Sequence, residues 1–188
     1  MSFTEEYLIN KDIQNVVHIG ADRGGELPQY KNLGAKKVVW VEANPEVYGE
    51  LLENLEIMNI SEVESIPFNQ LISDTDDVPT EFNIYYGPDA GHLTGNKGMS
   101  SMLKAEYPVS ECYRGTLELN ALTLDTFLER NELGFDFDMV NIDTQGAEFK
   151  VLKGASKLLE KVKYINCEVT FHTPLYQNNS TFGEVNCL

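Results

Sequence analysis

Apolar residues recur in two rhythms along this chain. Short, largely apolar runs occur at 16–19, 38–41 and 137–142, the first two rich in β-branched residues, and between them apolar residues recur at three- and four-residue spacing. A short, largely apolar run suits a strand buried on both faces, and the wider spacing suits a helix that covers it. Their alternation predicts an α/β protein, a mostly parallel sheet with helices on both faces. A helix is expected over 45–59, with Asn44 capping it, Pro45 in its first turn, and Val47, Leu51, Leu55 and Met58 on one side. A third strand is expected near 64–72, a turn at the acidic run 74–77, and further strands at 82–86 and 117–122. Thr123 is placed to cap a short helix that turns Leu124, Phe127 and Leu128 inward. After the strand ending on Asp143, one helix is expected to carry Phe149, Val151, Leu152, Leu158 and Leu159, and a last strand spans 164–171 and carries Glu168. The polar stretch 87–101 reads as a surface loop, a candidate lid. The whole, 1–188, reads as a single domain with a loop or hairpin insertion at about 74–122.

The first strand breaks at Gly20 in the run VVHIGADRGG, and the second ends on Glu42 in VVWVEANP. An acidic side chain about twenty residues after a glycine turn is the layout of a nucleoside crevice, in which the carboxylate accepts both ribose hydroxyls. A dinucleotide fingerprint needs a middle glycine where the pyrophosphate meets the backbone, and here that position is Asp22. A carboxylate there repels a pyrophosphate and suits the ammonium or sulfonium of S-adenosylmethionine. Asp143 ends a second apolar strand beside another glycine turn and repeats the geometry.

Charge narrows the partners. Thirty acidic residues against fourteen basic give a formal net charge of -16, which opposes nucleic acid and anionic membranes and favours a neutral or cationic small-molecule substrate. No segment has the length of a membrane span, and the N-terminal residues lack a basic start and apolar run, so a cytoplasmic location is expected. Cys112, Cys167 and Cys187 are odd in number and widely spaced, which suits neither a disulfide framework nor a zinc site. The carboxylates Asp143, Glu148 and Glu168 show no metal-ligand pattern, and no metal is expected; Glu148 is placed to support the first turn of its helix.

The run NIDTQGAEFKVLKGA at 141–155, with TLDTFL upstream and HIGADRGG and VEANP before it, resembles the FkbM family of S-adenosylmethionine-dependent methyltransferases across nearly the whole chain. The resemblance implies a class I methyltransferase fold, Rossmann-like, and methyl transfer, usually to oxygen on a small-molecule or sugar-like acceptor. It implies that Gly20, Ala21, Asp22 and Gly24 line the methionine part of the cofactor and that Glu42 takes the ribose, with Ala43 and Asn44 beside it. Asn69, Gln70 and Leu71, with Ser73 or Asp74, would border the adenine, and Asp143 would face the reacting centre. His18 departs from the family, which commonly has an acidic residue there. It either alters cofactor binding and its pH dependence or is hydrogen-bonded within its strand. The sequence stops at Leu188 where the final strand pair of such a fold is expected, so the strand from Tyr164 is expected to be covered by a partner copy, a homo-oligomer, or the chain to be a shortened form.

Methyl transfer is an in-line displacement that asks the protein to align the acceptor and take its proton. Asp143, Glu168 and His172 are the candidate bases, with His92 in the expected lid. Two other classes stay open at this stage: a non-catalytic module that binds an adenosyl ligand, and a nicotinamide-nucleotide oxidoreductase, which Asp22 disfavours.

Overall fold

The computed structural model describes residues 8, 11–87, 97–169, 174–178 and 180–181. A parallel five-stranded sheet forms its centre, in the order β3-β2-β1-β7-β8, from β1 (Asn15–Ile19), β2 (Lys37–Glu42), β3 (Glu64–Asn69), β7 (Met139–Ile142) and β8 (Tyr164–Cys167). A second sheet of order β4-β6-β5 joins β4 (Leu71–Ser73), β5 (Val78–Tyr85) and β6 (Tyr113–Thr123), with β5 antiparallel to β6. Helices α1 (Leu27–Leu33) and α2 (Pro45–Met58) belong to one face of the central sheet; α3 (Leu124–Arg130), α4 (Glu148–Lys153) and α5 (Ser156–Leu159) belong to the other.

The period of two along each strand divides the core accordingly. Val17, Ile19, Val39, Val41, Val140 and Ile142 pack with Leu124, Phe127, Leu128, Val151 and Leu158. Val16, Val38, Trp40 and Met139 pack with Leu27, Tyr30, Leu33 and Leu51. This is the expected doubly wound α/β arrangement, a parallel sheet with helices on both faces. Among the described residues β8 is an edge strand, with Ile165 half exposed.

Capping sets two helix starts as expected. Asn44 accepts the Glu46 N–H at 3.1 Å and Thr123 accepts the Thr126 N–H at 3.2 Å. Helix α1 was not anticipated, although Leu27, Tyr30 and Leu33 lie buried at helical spacing and a proline stands in its first turn.

Several expected elements differ from those observed. The strand expected over 64–72 is two strands in two sheets, because the chain turns at Gln70: its N–H reaches Glu42 O at 3.1 Å and its side-chain amide donates to Leu71 O and Asn120 O. Pro67 lies in β3, an edge strand, where a missing donor is tolerated. Strand β6 is longer than expected because β5 pairs with it along its length. The single helix expected after Asp143 is α4 and α5, divided at Gly154. A Cβ at Gly154 would lie 2.3 Å from Ser73 O and 3.1 Å from Thr123 Cβ, so the backbone passes directly against β4 and the start of α3. Gly154→Ala is therefore expected to cost about 1–3 kcal/mol through forced displacement, read as a lower urea midpoint at unchanged slope.

The polar stretch 87–101 is not simply a surface loop. Residues 88–96, including His92, lie outside the described residues, but Lys97 and Ser101 are buried. Lys97 is held by the carboxylates of Glu46 and Glu50 on α2, and Ser101 Oγ donates to Gln145 O at 2.9 Å. Pairing of this kind is what allows a lysine to leave water. Cys112 and Cys167 are free thiols, and Cys187 lies outside the described residues.

Candidate functional site

All five strands of the central sheet are parallel, so their carboxyl ends share one edge, and the crevice there is where such folds place ligands. Two residues beyond His18, Trp40, Asn141 and Asn166, which stand side by side in register, come Gly20, Glu42, Asp143 and Glu168. These four line a cavity of about 600 Å³, a size suited to a cofactor with a small partner.

The turn after β1 is tightly built. Gly20 and Ala21 donate their N–H groups to Val41 O at 2.9 and 3.1 Å, and Asp143 donates its own to Ile19 O at 2.9 Å. Gly20 has φ +77, and a Cβ there would lie 1.8 Å from Asp143 O, so the residue must be glycine for β1 and β7 to close on each other. Asp22 also has a left-handed backbone, φ +44.

Glu42 binds this turn to the one after β2. Its Oε2 accepts the Asp22 N–H at 2.9 Å and its Oε1 accepts the Asn44 N–H at 2.8 Å. Burial pushes its carboxyl up to about 7 against the pull of those two donors. Burial likewise raises Asp22, whose Oδ1 is buried with no hydrogen-bond partner, and Glu26, which shares the cavity wall. Such an unpaired oxygen is costly unless a ligand donates to it. The donor set fits an adenosyl ligand with an amino-acid tail: Glu42 oxygens for a ribose diol, the Asp22 oxygen for an ammonium, and a glycine cradle between them.

His18 sits in the core rather than free in the crevice. Its Nδ1 is 3.1 Å from Tyr30 Oη and its Nε2 is 2.9 Å from Asn141 Nδ2, and Asn166 extends the row by donating to Asn141 Oδ1 at 2.6 Å. Burial lowers its pKa to about 3, so it stays neutral across the physiological range. The expected alternative, a histidine titrating near neutrality, is thereby removed, since the buried ring gains no compensating charge.

On the other side of the cavity Gln145 Nε2 donates to Asp143 Oδ1 at 2.7 Å and lies 3.5 Å from Glu168 Oε2, so one amide stands between the two carboxyls. Burial first, then the charges of Asp143 and Glu148, raise Glu168 above the ordinary carboxyl range. Glu148 turns inward and accepts the N–H groups of Thr144 at 3.0 Å and Gly146 at 2.9 Å, so it braces the turn before α4.

Of the residues singled out from sequence, His18, Gly20, Ala21, Asp22, Glu42, Ala43, Gln70, Leu71, Asp143 and Glu168 line this one cavity. Asn44, Asn69 and Gly24 stand behind its wall: Asn44 caps α2, Asn69 Nδ2 donates to Glu42 O and Ala43 O at 2.8 and 3.1 Å, and Gly24 packs against Leu51. His172 lies outside the described residues. Glu26, Tyr30, Lys97, Met102 and Gln145 also line the cavity and escaped the sequence reading. Only Glu26 and Tyr30 had a local signal, the helical spacing of α1. Among the described residues no group of three histidine, cysteine or acidic side chains has metal-binding geometry, and no helix is long and apolar enough to cross a membrane.

A doubly wound parallel sheet with a glycine turn and an acidic wall at its carboxyl edge is the arrangement of nucleoside-binding α/β domains. A model of the methyltransferase FkbM domain matches residues 18–186, and the chain belongs to that family. No curated protein sequence matches the chain. Three solved structures are similar to it. TrmK of M. capricolum, in complex with S-adenosyl-homocysteine, has 11% identity and a TM-score of 0.43, over 87% of this chain and 49% of that one. Precorrin-6y C5,15-methyltransferase of Geobacter metallireducens has 13% identity and a TM-score of 0.44, over 89% and 61%. The YcgJ protein of Bacillus subtilis has 9% identity and a TM-score of 0.47, over 98% and 63%. The chain thus spans between about half and under two thirds of the length of these solved chains.

Proposed function

We propose that this protein transfers a methyl group from S-adenosylmethionine to a hydroxyl oxygen of a small, uncharged, sugar-like acceptor. The observation that carries the reading is the convergence of Gly20, Glu42, Asp143 and Glu168 on one cavity at the carboxyl edge of the sheet. Gly20 and Ala21 give the donor's amino-acid tail a close backbone approach, Asp22 holds its ammonium, Glu42 holds the ribose, and Ala43, Gln70 and Leu71 border the adenine. When bound, the donor supplies a methyl on a sulfonium: the acceptor oxygen forms the new bond to carbon, and the carbon–sulfur pair returns to sulfur. Asp143 takes the hydroxyl proton. The acidic wall of Asp22, Glu26, Asp143 and Glu168 disfavours an anionic acceptor, because Lys97 in the same wall is already engaged by Glu46 and Glu50.

The stretch 74–122 acts as an insertion that shapes the acceptor side. Phe82, Ser100 and Met102 from it line the cavity opposite the strand ends. With Lys97 and Gly98 of the same stretch, they give that side two apolar side chains, a hydroxyl and the ammonium that Glu46 and Glu50 hold.

The test combines calorimetric titration of S-adenosylmethionine with an assay of S-adenosyl-homocysteine formation across a panel of neutral polyols and phenols. Asp143→Asn is expected to keep donor affinity within about threefold and to lower turnover about 10²–10⁴-fold, the usual worth of a general base. Folded protein that does not bind the donor overturns the reading. Turnover of Asp143→Asn equal to wild type removes Asp143 as base.

A further inference from the structure

The polar row beside the glycine turn leaves one hydrogen over. Asn166 Nδ2 donates to Asn141 Oδ1 at 2.6 Å, so the Asn141 amide presents its Nδ2 to the other side, where it donates to His18 Nε2 and to Tyr30 Oη, both at 2.9 Å. A ring nitrogen that accepts carries no proton, and a neutral imidazole holds one, so the His18 proton is on Nδ1. Burial keeps that ring neutral. From Nδ1 the proton is donated to Tyr30 Oη, 3.1 Å away. Tyr30 Oη therefore accepts from both neighbours, and its own hydrogen points to neither. Tyr30 is 3% exposed and lines the cavity, and its hydroxyl hydrogen has no acceptor among the described residues. A buried donor in that state is costly until a ligand supplies the acceptor.

We infer that the Tyr30 hydroxyl is a binding group for the amino-acid tail of S-adenosylmethionine and donates its hydrogen to the tail's carboxylate beside the 20–22 turn. The inference rests on the proposed reading of that turn as the seat of the tail. The carboxylate hangs from the same carbon as the ammonium, so with the ammonium at Asp22 Oδ1 it enters the part of the cavity that Gly20, Ala21, Glu26 and Tyr30 line. An anion there needs hydrogens, and the neighbouring ones are already given. The N–H groups of Gly20 and Ala21 go to Val41 O, and that of Asp22 goes to Glu42 Oε2. Lys97 is held by Glu46 and Glu50, and Arg23, next to Asp22 in the chain, is paired with Glu50 at 2.6 Å. Tyr30 supplies the neutral buried hydrogen that remains. Glu26 and Asp143 stand close enough for their charges to act on Tyr30, and they oppose a lone anion. The tail is a zwitterion and adds no net charge, so the site takes a carboxylate that arrives with its ammonium. The row behind Tyr30 does the aiming: Asn141 and His18 occupy both lone pairs of Oη and leave its hydrogen the cavity side.

The test is titration calorimetry of the full chain, wild type and Tyr30→Phe, with two ligands: S-adenosyl-homocysteine, and the analogue of it that keeps the amine and lacks the carboxylate. Wild type is expected to bind S-adenosyl-homocysteine at least about tenfold more tightly than the analogue. Tyr30→Phe is expected to weaken S-adenosyl-homocysteine about 10–100-fold, the worth of a hydrogen bond to a charged group, and the analogue by less than about threefold. Equal losses for the two ligands, or no loss for either, overturn the inference, because a Tyr30 that only braces the row acts on both alike. Phenylalanine leaves the His18 Nδ1–H and one Asn141 N–H without their acceptor, so a measurement on wild type stands beside the variant. Nitrogen NMR of the ligand-free wild-type chain is expected to find the His18 proton on Nδ1. A proton on Nε2 reverses the row, turns the Tyr30 hydrogen back to His18 and overturns the inference with no variant needed. Folded wild type that binds neither ligand overturns the proposed function and the inference with it; wild type that binds both, with equal losses in the variant, overturns the inference alone.

Discussion

Gly20→Ala is expected to destabilise the protein by at least about 3 kcal/mol and to abolish detectable binding of S-adenosylmethionine. Two costs combine. The left-handed backbone at φ +77 penalises any Cβ by about 1–2 kcal/mol. The new Cβ would also stand 1.8 Å from Asp143 O, which is backbone and cannot rotate away. Relief requires the end of β7 to move from β1, and that breaks the Asp143 N–H bond to Ile19 O at 2.9 Å. In a chain of 188 residues a loss of this size lowers the melting temperature by roughly 6–12 °C. Differential scanning calorimetry reads the first effect and titration calorimetry the second. A melting temperature within two degrees of wild type, with donor affinity retained, would show that the turn yields more easily than its geometry implies.

Much of this site was legible in the sequence because its chemistry sits where strands end, and strand ends are marked by abrupt changes of residue type. Gly20 after VVHI, Glu42 after VVWV and Asp143 after MVNI each close an apolar run. Parallel pairing then brings them to one edge without further information. The parts that stayed hidden depend on contacts between distant segments. Lys97 looks solvated in a polar stretch, and its burial follows only once Glu46 and Glu50 on α2 face it. Gln145 has no periodicity to announce it, and its importance arises from Ser101 and Tyr176 meeting it from elsewhere in the chain. The division of the expected strand at Gln70 and of the expected helix at Gly154 has the same origin, since the contacts that cause both, with Asn120 and with Ser73, come from outside their local windows. Residue type alone leaves His18 either tuning the cofactor site or hydrogen-bonded within its strand, and its partners Tyr30 and Asn141 match the second.

Glu42→Gln is expected to raise the dissociation constant for S-adenosylmethionine about 10–100-fold at pH 8 and to flatten its pH dependence. The carboxylate uses both oxygens to hold the Asp22 and Asn44 N–H groups, and it remains the acceptor available for two ribose hydroxyls. A hydrogen bond to an ionised group contributes about 1.5–3 kcal/mol, and glutamine must also turn an N–H₂ toward one of the two backbone donors. The pH sign follows from the pKa. Burial holds the Glu42 carboxyl at about 7, above the ordinary value of 4.5, so it is protonated below neutrality in the folded protein. A protonated carboxyl accepts poorly, so wild-type affinity weakens as pH falls below about 7, by up to tenfold per unit, and levels off above it. The same shift acts oppositely on folding. Between 4.5 and about 7 the unfolded chain loses this proton while the folded chain keeps it, so Glu42 favours unfolding progressively as pH rises through that window. Acid thus favours the empty fold at this residue and weakens the donor complex. Titration calorimetry of both proteins from pH 5.5 to 8.5 separates Glu42 from Asp22 and Glu26, whose raised carboxyls remain in the variant. Equal affinities at pH 8, or parallel pH profiles for the two proteins, would place the ribose elsewhere than on Glu42.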